Sequence, residues 1–123
     1  MINSEPIIEI NREGKTLSVK AIIQTWNKFE GSHICIHIPF LGGLITHAEN
    51  EQDAEKAVEE AFQCFVIISE KHGMGVENEL SFIGWNKEAG ESKNHSIFTI
   101  DNLNSAMESM METGDTRVLE VAL

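Results

Sequence analysis

Apolar residues recur at every second position over much of the chain, and at every third or fourth position in one long segment. The first period is that of a strand with one buried face; the second is that of an amphipathic helix. Residues 7–10 form a short apolar run, closed by the hairpin-loop sequence Asn11-Arg12-Glu13-Gly14. Residues 16–26 predict a long strand, with Leu17, Val19, Ala21 and Ile23 on one face and Ser18, Lys20, Ile22 and Gln24 on the other. Residues 27–32, which contain Gly31, predict the following turn. Residues 33–38 alternate cleanly, Ile34, Ile36 and Ile38 against His33, Cys35 and His37. Pro39 lacks a ladder donor and ends this strand. Gly42 and Gly43 supply the backbone freedom for a reversal, and residues 44–48 return as a strand.

A helix begins almost at once. Asn50 is its expected N-cap, accepting from free N–H groups of the first turn. Glu51 and Asp53 suit the positive end of the helix dipole. Ala54, Ala57, Val58, Ala61, Phe62, Phe65 and Ile68 recur at helical spacing as a buried stripe, widened by Cys64 and Ile67. The outer face carries Glu51, Glu55, Lys56, Glu59, Glu60 and Gln63. Lys71 and His72 fall in the last turn, and Gly73 is the expected C′ residue.

The remaining pattern is less regular. Residues 80–85 predict a fifth strand, residues 86–94 an exposed loop and residues 96–100 another strand. Asp101 is placed to cap a second helix with the stripe Leu103, Ala106, Met107, Met110 and Met111, ended by Gly114. Residues 116–123 alternate as a last strand, with Leu119, Val121 and Leu123 on one face. The predicted order is ββββ-α-ββ-α-β. It defines an α+β fold, a mostly antiparallel meander sheet packed on one long helix with a second short helix near the C-terminus. A single domain is expected over residues 1–123, with a core at 16–86 and a β-α-β extension at 95–123. Repeats, linkers and low-complexity segments are not apparent.

Composition narrows the class. With 123 residues and 41% hydrophobic content, the chain is long enough to bury a core without staples. No early segment reads as a signal peptide and no apolar run reaches the roughly 20 residues of a membrane span. The expectation is a cytoplasmic protein. Its two cysteines, Cys35 and Cys64, read as separate thiols in a reducing compartment. The net charge of −11 is uneven. Four acids and four bases cancel through Glu30, so the excess lies in the sixteen acids and five bases that follow. Such a surface repels a phosphate backbone and disfavours direct nucleic-acid binding. It keeps the domain soluble and would attract a basic protein.

Candidate chemistry is sparse. His33, Cys35 and His37 share a strand face, with neighbours about 6.6–7 Å apart and the outer two roughly 13 Å apart. One ion cannot take all three. His47 on the return strand would face His37 in one hairpin register, which brings a metal pair from His37 and His47, with Cys35, within geometric reach. A polar outer sheet face accounts for these residues most simply, and a paired-histidine pH response is a third reading. No GxSxG or cysteine-nucleophile signature occurs, and Gly73-Met74-Gly75 lacks the Rossmann pattern and follows a helix, which makes it a loop rather than a phosphate cradle. No catalytic set and no cofactor are implied. Met107, Met110 and Met111 fit core packing or an adaptable groove. Trp26 and Trp85 stand near predicted strand ends, at a core edge or an interface.

The middle of the chain resembles the HicB-like antitoxin family. The resemblance rests on Ile38-Pro39-Phe40-Leu41-Gly42-Gly43, the short strand to His47, and the acidic capped helix from Asn50 to Ala61. It spans roughly residues 17–85. It implies a partial ribonuclease-H-like sheet on one helix, self-association into a homo-oligomer, and no enzymatic activity. The implied role is to bind and occlude a small basic ribonuclease toxin of the HicA type. Glu51, Glu55, Glu59 and Glu60 are the residues expected to meet such a partner. The chain departs from relatives that carry a C-terminal DNA-binding module. After Trp85 it has three bases against seven acids, and one predicted helix between strands is not a helix-turn-helix. The alternatives are a small oligomeric structural protein, for which residues 117–123 offer a dimer edge, and a metal-binding sensor or enzyme using His37 and His47.

Overall fold

The computed structural model describes residues 6–92, 94–100 and 115–122. Its elements are β1 (Ile7–Glu13), β2 (Thr16–Glu30), β3 (His33–Ile38), β4 (Leu44–Ala48), α1 (Glu51–His72), α2 (Val76–Phe82), β5 (Asn86–Ser92), β6 (His95–Thr99) and β7 (Asp115–Ala122). The fold is α+β, as the alternating and helical periods require. Among the described residues the strands form one antiparallel sheet ordered β4-β3-β2-β1-β6-β5, with β7 added against β2. A pure meander would stop at the first four strands. Here β6 returns to β1 and β7 to β2.

The length of β2 organises this sheet. Lys20, Ala21 and Ile22 pair with both β1 and β7, and Trp26 and Asn27 pair with both β3 and β7. A strand has only two edges. β7 therefore runs along one edge of β2, while β1 and β3 follow one another along the opposite edge.

The inner face is built from every second strand residue. Ile8 and Ile10, then Val19, Ala21 and Ile23, then Ile34, Ile36 and Ile38, with Phe98 and Val121, are all buried. Across them lie Ala54, Val58, Phe62 and Val66 of α1, in one core with Val76 and Leu80 of α2. The Pro39-to-Gly43 turn folds into this core rather than away from it, for Phe40 and Leu41 are buried. Trp85 seals the turn: its Nε1 donates to the Phe40 carbonyl at 2.7 Å, and the two rings meet edge to face. Gly42 and Gly43 have φ of 68° and 76°, the left-handed backbone the reversal needs.

Four local expectations change. β2 does not stop at Trp26 but runs to Glu30, because residues 33–37 of β3 supply ladder partners for it; the turn shrinks to Gly31-Ser32. Residues 80–85 are not a strand. Val76 and Leu80, four apart, are buried together as a helix buries them, whereas Phe82 is 76% exposed. The expected loop after Trp85 is instead the strand β5, which among the described residues pairs only with β6, at the sheet edge. Its Asn86, Lys87 and Glu88 are exposed, and a polar edge strand leaves no alternating apolar signal. Gly73 caps α1 in an extended conformation, not a left-handed one. The left-handed residue is Gly75, with φ of 90°. The helix expected around Leu103, Ala106, Met107, Met110 and Met111 lies outside the described residues.

Candidate functional site

Helix α1 starts where its capping residue predicts. The Asn50 side chain accepts from the Asp53 N–H at 2.9 Å. All four candidate partner-binding residues, Glu51, Glu55, Glu59 and Glu60, are exposed in its N-terminal half. Glu51, Glu55 and Glu59 form a row at four-residue spacing; at 100° per residue, Glu60 lies about a quarter-turn further round. The stripe that holds the helix to the sheet is narrower than its apolar content. Ala54, Val58, Phe62, Val66 and Ser69 are buried, whereas Cys64, Ile67 and Ile68 are exposed, Ile68 by 58%. The sequence contains the reason. Cys64-Phe65-Val66-Ile67-Ile68 is five apolar residues in a row, which wraps more than one full turn and cannot face one sheet.

Cys64 and Ile68 of this surplus line a groove of about 400 Å³ beside the C-terminal half of α1. Leu44 of β4, Ala61, Phe65, His72 and Glu79 line it with them. The helix surface is thus divided: acidic residues first, apolar residues after.

The outer sheet face holds the other candidates. The register sets His47 across from Cys35, and Ile45 across from His37. The expected His37–His47 pairing is therefore two residues out of register, and Cys35 takes the place opposite His47. The His37 Nε2 lies 3.7 Å from the Cys35 Sγ. The His47 and His33 rings are 5.7 Å apart, and Trp26, across β2 from His37, packs its ring 4.8 Å from that imidazole. Both cysteines are free thiols. Among the described residues, no three His, Cys, Asp or Glu side chains converge on one point as placed. Trp85 is buried in the core, while Trp26 is half-buried beside the histidines.

A charged cluster outside the expected set ties the scaffold together. Arg12 of β1 meets Glu70 of α1 and Glu77 of α2 at 2.6–2.7 Å. Hydrogen bonds from Arg12 hold both carboxyls below the usual carboxylate range, and those bonds in turn raise the Arg12 pKa. Glu70 also accepts from the Val76 N–H at 2.9 Å, so the first turn of α2 is capped by the preceding helix. His95 and Glu9 make a further contact at 2.8 Å between β6 and β1.

No described helix is long and apolar enough to cross a membrane. No protein-family model, curated protein or solved structure matches this chain.

Proposed function

We propose that the protein is a non-enzymatic interaction domain, similar in role to HicB antitoxins, whose α1 surface captures and occludes a small basic protein of the HicA ribonuclease type. One observation carries this reading. The helix that the sheet holds in place exposes an acidic half, Glu51, Glu55, Glu59 and Glu60, followed by an apolar half with Ile67, Ile68 and the adjoining groove. Stable protein interfaces combine a desolvated apolar centre with charged residues that steer and orient the partner. An overall charge of −11 selects a basic partner. The resemblance of residues 17–85 to the antitoxin family supplies the class of that partner.

The test begins with native mass spectrometry of the protein purified from its own host, where a small basic chain is expected to co-purify. Association with that purified chain is then measured. Glu55→Lys together with Glu59→Lys should slow association by about tenfold at low salt, with the difference shrinking as salt rises. Ile68→Asp should mainly speed dissociation. The absence of a basic companion, or an association indifferent to both changes, sinks the reading.

A further inference from the structure

We propose that β4 is an open sheet edge that takes an extended, basic segment of a partner protein as an added strand, with alternate side chains of that segment in the groove against α1. The proposal names how the partner of the α1 reading is held, and rests on that reading for the partner being a basic protein. β4 ends the sheet, and among the described residues nothing pairs with its outer edge. Every second residue of an edge strand points a backbone N–H and C=O outward, where another chain can pair with them. Proteins ordinarily blunt such an edge with lysine, proline or a bulge. The opposite edge, β5, has these devices: Lys87 and Glu88 are exposed, and its register breaks between Glu88 and Ser92. β4 lacks them, for Leu44-Ile45-Thr46-His47-Ala48 holds no lysine, arginine, carboxylate or proline, and its ladder to β3 is unbroken.

The groove lies where alternate side chains of such a strand fall. Leu44, on the inner face of β4, lines it together with Ala61, Phe65 and Ile68 of α1. Side chains of neighbouring strands share faces. One set from the added strand therefore stacks beside Leu44 and Thr46 against the helix, and the other beside Ile45 and His47 on the outer face. The edge supplies backbone hydrogen bonds and the groove an apolar pocket, the two parts of recognition by strand addition. Charge selects the occupant. Among the described residues that line the groove, the one carboxylate is Glu79 and there is no lysine or arginine. A second copy would offer the same edge pairing. However, α1 packs on β4, so joining two β4 edges would set two α1 helices side by side, each exposing Glu51, Glu55, Glu59 and Glu60. Repulsion between them opposes that dimer and favours a basic chain.

The probe is a blocked peptide of alternating lysine and valine, about six residues long, the ordinary length of a strand. Under reducing conditions it should bind the protein saturably, and the same peptide with glutamate for lysine should bind at least about tenfold more weakly. At about ten times its dissociation constant, the outward-pointing amides of β4 should exchange with deuterium about tenfold more slowly, while those of β5 are unchanged. N-methylation of the lysines, or of the valines, blocks one edge of the added strand. One of these peptides should lose at least about tenfold in affinity and the other should keep it. Ile68→Ser should weaken binding about fivefold or more. Phe29→Ser should not, for Phe29 is as exposed as Ile68, 55% against 58%, and lies outside the groove. Absence of saturable binding overturns the proposal, as do equal losses from the two N-methylated peptides or protection that misses β4. Self-association of the free protein that Ile68→Ser abolishes gives the edge to a second copy and equally overturns it. Failure of the α1 reading looks different. Where no basic chain co-purifies from the host but the probe shows this pattern, the added strand stands and only the antitoxin-like role falls. A co-purified basic chain that leaves β4 exchange unchanged overturns the added strand and leaves the α1 reading intact.

Discussion

Arg12 and Glu77, 65 residues apart in the chain, form a two-pronged ion pair: Nε donates to Oε2 at 2.7 Å and Nη2 to Oε1 at 2.6 Å. The remaining Arg12 nitrogen, Nη1, reaches Glu70 at 2.7 Å. One guanidinium therefore joins the first strand to both helices. Only an arginine presents a planar fork that can engage two carboxylates in this way. Replacing it by glutamine should cost about 1–2 kcal/mol, above an exposed pair and below a fully buried one. Arg12→Lys should recover only part of that. Urea unfolding of the three proteins measures both values.

The same cluster sets how the protein responds to acid. Arg12 holds the Glu70 and Glu77 carboxyls below their ordinary value of 4.5. In acid the unfolded chain then binds more protons than the folded one, which favours unfolding. The stabilisation is complete above about pH 4.5 and is lost as the pH falls through the lowered folded values. Melting temperature followed from pH 6 to pH 3 should drop more steeply for the parent than for Arg12→Gln. Parallel curves would mean the cluster does not govern the acid limb.

Thr25 sits on the inner face of β2 with 1% exposure, and its hydroxyl is buried with no hydrogen-bond partner among the described residues. A buried polar group left unpaired costs free energy that an apolar isostere avoids. Thr25→Val keeps the shape and the β-branched backbone preference. It should raise stability by about 1 kcal/mol in chemical denaturation. A loss of stability would show that the hydroxyl has a partner in solution.

Phe62 and Ile68 belong to one apolar stripe by spacing, yet only the first is in the core, at 1% exposure against 58%. Phe62→Ala should cost about 3–5 kcal/mol. Ile68→Ala should stay within about 0.5 kcal/mol, while weakening any partner held in the adjoining groove. Equal losses in stability would place both side chains in the core.

The elements that were legible share a local cause. Asn50 carries its own capping oxygen, and the alternation of His33 to Ile38 needs no distant partner to be read. The candidate histidines were placed on the correct face, because a strand alternates strictly. Their pairing was not legible, since a two-residue slip of the hairpin register, which keeps the faces unchanged, decides whether His47 meets His37 or Cys35. Nor could residues 80–85 be separated from a strand by pattern alone, because seven residues hold too few turns to establish a helical period.

By itself, the sequence determined the α+β class, the strand faces, the capped helix and the acidic excess. Each follows from spacing, capping chemistry or charge along contiguous residues. Only the tertiary structure decided that β2 is long enough to serve three strands, that Arg12 bridges two helices, and that Cys35 stands between His37 and His47. Those relations depend on which segments meet across the sheet. It also decided which apolar residues of α1 remain outside, because one sheet can cover only one side of a helix.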